Sequence, residues 1–330
     1  MTSTASPATV LHLAFAHTSA RALHVVAELA VADHLDAEPR DAAVLAAAVG
    51  ADADALHRLL RLLETHGLFR RNAAGDWCHT AASRVLRSDH PASLRAFARM
   101  AGTAFGWDSF TGLTHTARTG EAGIRLLEPA GWTAYLQGHP DEAAVFQDAM
   151  TAKGHADVAA VLQVHDFSRY HRVVDVAGGH GHLVRAIVAS HPGVEGALFD
   201  LPEVAAHVHP RPRLQVMAGD FFADELPAAD AYLLMNVIHD WDDDSSVRIL
   251  EAVARAGGPA GATVLLLEVL MPEGPEEHWA KALDIIMLAV TGGRERTLPE
   301  YDALLTAAGM ELVSVTPTST PFSVIEARIC

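Results

Sequence analysis

The chain has 330 residues, half of them hydrophobic, which is enough to bury two cores and too apolar for a disordered or fibrous protein. Its formal net charge of −17 comes from residues 101–330, the first 100 being charge-balanced. That balance argues against a nucleic-acid partner, since phosphate binding needs a concentrated basic surface. The longest apolar runs, such as Val264–Leu267 and Ile285–Val290, fall short of the roughly 20 residues that cross a bilayer. Met1–Val10 lacks the basic start and apolar run of a secretory signal. The expectation is therefore a cytoplasmic protein with no membrane partner. Cys78 and Cys330 lie too far apart in sequence to suggest a disulfide framework or a cysteine metal site.

Apolar residues recur at helical spacing over Leu11–Leu35. Asp52 stands where an N-cap would open a second helix, Ala53–His66, which Gly67 ends. Leu68–Arg71, a turn over Asn72–Asp76, and Trp77–Thr80 then predict a small hairpin. Helices followed by such a hairpin resemble a winged helix, a unit that often binds DNA, although the charge balance disfavours that use here. Residues 91–165 are expected to continue as helix with breaks at Gly102, Gly106, Gly112, Gly131 and Pro140. Phe105, Trp107, Phe146 and Met150 punctuate this stretch, either as core or as the wall of a pocket for a flat apolar molecule.

The pattern changes near Tyr170. Runs at Arg172–Ala177, Val194–Phe199, Leu214–Ala218, Ala231–Met235 and Thr263–Val269 alternate with helical stretches, predicting a parallel sheet covered on both faces. Met310–Val315 and Ser323–Ile329 predict a closing pair of strands.

Val173 to Leu183 reads as a strand entering a glycine-rich turn, Gly178-Gly179-His180-Gly181, that lets a ligand approach the backbone. Val184 replaces the third glycine of a dinucleotide fingerprint, which counts against a dehydrogenase. Asp200, ending the next strand, can accept both hydroxyl hydrogens of a ribose, a role that suits either of two adenosine cofactors, NAD or S-adenosylmethionine. In Gly219-Asp220-Phe221-Phe222 the carboxylate can accept from an adenine amino group and a phenylalanine can stack on the ring; the ordinary alternative is an Asx turn. The strand Tyr232–Ile238 delivers His239-Asp240-Trp241 at its carboxyl end, where chemistry in open α/β sheets is found. Imidazole is the side chain best matched to removing a proton near neutral pH. Asp242, Asp243 and Asp244 read as charges at a helix N-terminus. The pairs His180/His182 and His207/His209 lack the further ligands a zinc site needs, and no carboxylate cluster suits magnesium, so no metal is expected.

These motifs, with Asp200-Leu201-Pro202 and Gly292-Gly293-Arg294-Glu295-Arg296-Thr297, stand in an order and spacing similar to one family. The chain resembles the plant caffeate and acetylserotonin type of O-methyltransferase, especially its bacterial natural-product branch, over nearly its whole length. The resemblance implies an α/β fold: a Rossmann-like S-adenosylmethionine-binding domain at 166–330 with an all-helical winged-helix dimerisation domain at 1–100. A helical linker and substrate-pocket region would occupy 101–165. It implies that S-adenosylmethionine lies against Gly179, with its ribose on Asp200 beside Leu201 and its adenine at Asp220, Phe221 and Phe222. A further cofactor contact falls at Met235 or Asn236, where many relatives have a basic residue. His239 would be the general base, with Asp240 beside it and Glu268 and Glu295 orienting it. Met287 and Val290 would line the acceptor pocket, and Ala177 replaces the first glycine of the family's triplet at little cost.

The expected activity is transfer of a methyl group to a hydroxyl of a small aromatic molecule by a homodimer. Three other readings share parts of this pattern: a relative that binds S-adenosylmethionine but decarboxylates or hydroxylates, an NAD-dependent oxidoreductase, and a winged-helix regulator.

Overall fold

A computed structural model describes residues 7–35, 38–258 and 261–330. Residues 1–6, part of the stretch read above for a secretory signal, lie outside the described residues. The chain divides into two compact units: residues 1–108 with 135–153, and residues 109–134 with 154–330.

In the first unit, helix Pro7–Glu28 is followed by helices Ala42–Val49 and Ala53–Glu64. Asp52 caps the third of these by accepting from the Ala55 backbone N–H at 2.9 Å, as its sequence position predicts. The hairpin pairs β1 (Phe69–Arg71) antiparallel with β2 (Trp77–His79). Its turn closes because the Asn72 carbonyl side chain accepts from both Ala74 and Asp76, while Gly75 takes a φ of 92°. Leu56, Leu60 and Leu63, one face of the third helix, bury against Val26, Leu35, Leu45, Phe69 and Trp77.

In the second unit, seven strands form one sheet: β3 (Arg172–Val176), β4 (Glu195–Asp200), β5 (Leu214–Ala218), β6 (Ala231–Met235), β7 (Thr263–Val269), β8 (Met310–Pro317) and β9 (Phe322–Ile329). Their order is β5-β4-β3-β6-β7-β9-β8. The first five run parallel, whereas β9 pairs antiparallel with both β7 and β8, so the sheet is mixed. The order reverses direction between β3 and β6, the switch point at which ligands bind in open α/β sheets.

Successive side chains of a strand face opposite sides, and here both sides carry an apolar core. Val174, Val176, Tyr232, Leu234, Val264 and Leu266 pack with Ile249, Leu250 and Val253 of helix Asp243–Gly257 and with Leu304 and Leu305. Val173, Leu233, Leu265 and Leu267 pack on the other side with Leu183, Val184 and Ile187 of helix His182–Ser190 and with Val158 and Val161.

Several local expectations differ from the structure. The helix expected over Leu11–Leu35 ends at Glu28, because Ala30 takes a φ of 53° and a 3-10 turn, Val31–His34, follows. β6 ends at Met235 instead of continuing to Ile238, because Asn236 adopts a φ of 54° and a one-turn 3-10 helix, Ile238–Asp240, follows. Gly106 lies inside the short helix Ala104–Asp108 and breaks nothing, whereas the break expected at Pro140 is present, between helices Trp132–Gly138 and Pro140–Val164. Gly120, unmarked in the sequence reading, ends helix Leu113–Thr119 with a φ of 79°.

Candidate active site

The glycine turn leaves β3 over a buried carboxylate. Asp175 is 1% exposed; its Oδ2 accepts from Val184 N at 3.3 Å and its Oδ1 has no partner. Burial pushes its pKa up to about 7. A Cβ on Gly178 would collide with that carboxyl, so the turn closes over it only with glycine there. Gly179 takes a φ of 58°, and nothing lies within 4 Å of where its Cβ would stand, leaving the backbone open on that side. Ala177 also has a positive φ, 53°, where an L-residue with a Cβ is strained by roughly 1–2 kcal/mol. The loss of glycine at 177 therefore costs more than the small change of side chain suggested.

Asp200 ends β4 beside this turn. Its Oδ2 accepts from Gly179 N and its Oδ1 from Leu201 N, both at 2.7 Å, which leaves each oxygen a free lone pair for a diol. Burial raises its pKa, opposed by the bonds from Gly179 and Leu201. Asp220 follows β5 in an Asx turn, its Oδ1 accepting from Phe222 N at 2.8 Å, so the ordinary alternative describes at least half of this carboxylate. Phe221, Phe222 and Trp241 meet edge to face at centroid distances of 4.7, 4.9 and 5.9 Å, and Arg248 covers the Phe222 ring at 4.7 Å. At the end of β6, the buried Asn236 Oδ1 has no partner. A backbone turn open at Gly179, a carboxylate with two free lone pairs and an orphaned amide at adjacent strand ends fit an adenosyl compound.

The second part of the site surrounds His239, which is 6% exposed in the turn after β6. Its Nδ1 donates to Glu295 Oε1 at 2.7 Å, leaving Nε2 as the nitrogen able to accept a proton. Glu268 lies 3.9 Å from Nδ1 through Oε2, while its Oε1 accepts from Val237 N and Ile238 N at 3.1 and 2.9 Å. Glu268 thus holds the turn by hydrogen bonds and the ring by charge. Asp240 Oδ1 is 3.7 Å from Nε2. Burial alone would lower the His239 pKa, but Glu268, Asp240 and Glu295 outweigh it and lift the value to about 9. Burial takes Glu268 up to about 7, with His239 pulling the other way.

The segment 292–297 clamps this turn through residues to which the sequence reading gave no role. Arg296, 1% exposed, donates to Ile238 O at 3.0 Å and Trp241 O at 2.8 Å, and its Nε and Nη2 grip Asp243 Oδ1 at 3.0 and 2.8 Å. Arg294 N donates to His239 O at 2.9 Å. A Cβ on Gly293 would strike that same carbonyl oxygen, and Asp284 accepts from Glu295 N at 2.9 Å. The available signal was the dense run Gly292 to Thr297, in which an arginine on either side of Glu295 already departed from the acidic surroundings. Asp242 and Asp243 do stand at a helix N-terminus as expected, Asp242 accepting from Ser245 N at 2.7 Å.

The residues proposed for the pocket fall in both units, four in the first and two in the second. Phe105, in the first unit, packs against Tyr135 and Phe146 at 6.0 and 5.6 Å. Trp107 stands edge-on to His24 at 5.3 Å under the Arg21 guanidinium, and Met150 is half-buried. Met287 and Val290 lie on helix Trp279–Val290 of the second unit, 8% and 5% exposed, with Met287 in its core. Among the described residues no group of three or more His, Cys, Asp or Glu is close enough to hold a metal ion, and no helix is long and apolar enough to cross a membrane.

Comparison with known proteins gives this geometry a family. The O-methyltransferase domain model matches residues 110–311, and the O-methyltransferase dimerisation domain model matches residues 11–89. The chain is 35% identical to a phenazine O-methyltransferase of Lysobacter antibioticus over 93% of its own length and 92% of that protein's. It superposes with a TM-score of 0.81, at 35% identity over 95% of this chain and 96% of that one, on a neocarzinostatin-biosynthesis O-methyltransferase bound to S-adenosylmethionine and 2-hydroxy-5-methyl naphthoic acid. Human N-acetylserotonin methyltransferase in complex with S-adenosylmethionine matches with a TM-score of 0.89 at 27% identity, over all of this chain and 99% of that one. The chain belongs to the S-adenosylmethionine-dependent O-methyltransferase family.

Proposed function

We propose that this enzyme methylates a hydroxyl of a small aromatic natural product, with His239 as general base. The observation that carries this is the Nδ1 to Glu295 bond of 2.7 Å, which commits the buried ring to a single tautomer with Nε2 free. The aromatic acceptor is supported by the names of the relatives, a phenazine and a naphthoic-acid enzyme.

Bound S-adenosylmethionine supplies an electrophilic methyl group on a sulfonium cation, whose charge also disfavours a second cation nearby. Gly179, Asp200 and Leu201 would hold the adenosyl half, with Asp220, Phe221 and Phe222 around the adenine and Asn236 at the β6 end. His239 Nε2 takes the acceptor's hydroxyl proton, Nδ1 keeps its own proton in the bond to Glu295, and the carboxylates of Glu268, Glu295 and Asp240 stabilise the imidazolium. A conjugate acid near 9 lies close to a phenol at about 10, so the proton moves almost without energetic cost. Phe105, Trp107, Phe146, Met150, Met287 and Val290 remain the proposed sources of the acceptor pocket.

A homodimer is part of the same reading. Helix Pro7–Glu28 leaves Val10, Leu11, Leu13 and Phe15 more than 60% exposed, in a segment that matches the family's dimerisation domain. Methyl transfer from labelled S-adenosylmethionine to a panel of naphthols, hydroxyphenazines and catechols tests the acceptor class. Light scattering tests the assembly. Turnover on amines with none on any phenol, or a monomer at micromolar concentration, would refute the corresponding part.

A further inference from the structure

Beside the glycine turn after β3, the second unit contains a cavity of ≈ 650 Å³, within the size range of small-molecule sites. Three separate chain segments supply its polar lining: His155 from helix Pro140–Val164, His180, His182 and Arg185 from the glycine turn and the helix after it, and His207 and Arg211 from the segment before β5. No aspartate or glutamate is among its lining residues, in a chain of net charge −17. Among the described residues neither Arg185 nor Arg211 has an ion-pair partner, and the Arg185 Nε is buried with no hydrogen-bond partner at all. Leaving a buried cationic donor unmatched is costly, and the usual explanation is a group that completes it.

The histidines add ring nitrogens to the same space. His182 lies edge to face with His155 at 5.6 Å and stacked with His180 at 6.1 Å between ring centroids. His207 uses Nδ1 to donate to Glu203 O at 2.7 Å, so in the neutral ring its Nε2 is an acceptor. Burial first, then the neighbouring His155, His180 and Arg185, hold the His182 pKa down; burial and Arg211 do the same for Arg185. Among the described residues no group of three or more His, Cys, Asp or Glu is close enough to hold a metal ion.

The geometry points to a second ligand site here, one that takes a phosphate monoester with an apolar body. Two guanidinium groups match the fork geometry and double charge of phosphate better than those of a lone carboxylate. Val158, Leu162 and Val208 form the apolar wall that the body of such a ligand would cover. Asp200, Asp220 and Asn236 are not among the lining residues, so the adenosyl site and this one are separate. His180 follows Gly179 directly, which links occupancy of the cavity to the backbone of the cofactor turn.

Titration of the full-length protein with phenyl phosphate tests this, at constant ionic strength and with S-adenosylhomocysteine saturating. The expected result is one molecule bound per chain and at least tenfold weaker binding by Arg211→Gln, whose side chain is exposed and whose loss leaves the fold intact. The affinity of that variant for S-adenosylhomocysteine should be unchanged. Arg185→Gln provides a second variant, with the same expected loss. Equal affinity in wild type and variants, or no binding by the wild type, including binding seen only when S-adenosylhomocysteine is omitted, would each overturn the assignment.

Discussion

The two ends of the site are built differently. At β3–β5 each residue proposed above for the cofactor lies at or just beyond the end of its own strand, and backbone N–H groups of the adjoining turns complete it: Gly179 N and Leu201 N on Asp200, Phe222 N on Asp220. At β6 the histidine turn closes its own 3-10 bonds, but its side-chain support comes from Glu268, Glu295 and Arg296, 29 to 58 residues away. On the proposed roles, cofactor binding rests on strand-end turns, whereas proton removal rests on long-range packing. Damage to the second region should therefore slow turnover and spare cofactor affinity, and damage to the first should do the reverse.

The largest effect expected is from His239→Gln. Turnover should fall by about 10²–10⁴, the usual range for a lost general base, with the Kd for S-adenosylmethionine unchanged by calorimetry. A variant that turned over at the wild-type rate would remove the base from His239.

Next comes Arg296→Leu, which strips the Trp241 carbonyl of its buried donor and leaves the Ile238 carbonyl only the longer bonds from Trp241 N and Ser246 Oγ. Each buried group left unpaired costs about 1–3 kcal/mol, so Tm should fall and kcat with it, again at constant cofactor affinity. If the variant melted lower but kept full kcat, the clamp would be structural alone.

Asp200→Asn attacks the other region. Losing a charged acceptor should weaken cofactor binding about 10- to 100-fold while kcat at saturating cofactor holds. Equilibrium dialysis and initial rates separate the two, and a selective loss of kcat would break the division between regions.

The pH dependence sharpens the same contrast. The base works only as neutral imidazole, so kcat/KM should climb with pH toward 9, and Glu295→Gln should move that limb to lower pH by removing one of the carboxylates that raise His239. Because the folded pKa lies above the unfolded 6.5, the stabilisation from His239 is fully present below pH 6.5 and is lost as pH rises through about 9. Thermal melts of His239→Gln should therefore be flatter over that window than those of wild type.

The smallest effect expected is from Ala177→Gly. Relieving a φ of 53° should stabilise the fold by about 1 kcal/mol, read as a rise of a few degrees in Tm without loss of cofactor binding. A lower Tm would mean that the flexibility added to the unfolded chain outweighs the strain removed.

Much of this molecule was legible in advance. The five parallel strands, the hairpin and the Asp52 cap follow from runs of β-branched residues, turn chemistry and capping preference, all of which act over a few residues. The early end of β6 was hidden, because Val237 and Ile238 are good strand formers and only the positive φ of Asn236 stops the pairing. The antiparallel return of β9 onto β7 was also hidden, since a strand's composition does not state its direction.

From the sequence alone came the residue types at the strand ends: a glycine turn after β3, carboxylates after β4 and β5, and an imidazole after β6. Only the tertiary structure brought Glu295 to 2.7 Å from that imidazole, set Arg296 beneath its turn, and assembled four histidines and two arginines around one cavity. Local rules act through covalent neighbours, but charge, burial and hydrogen bonding act through space, and distances in space are settled only when the two faces of the sheet are packed.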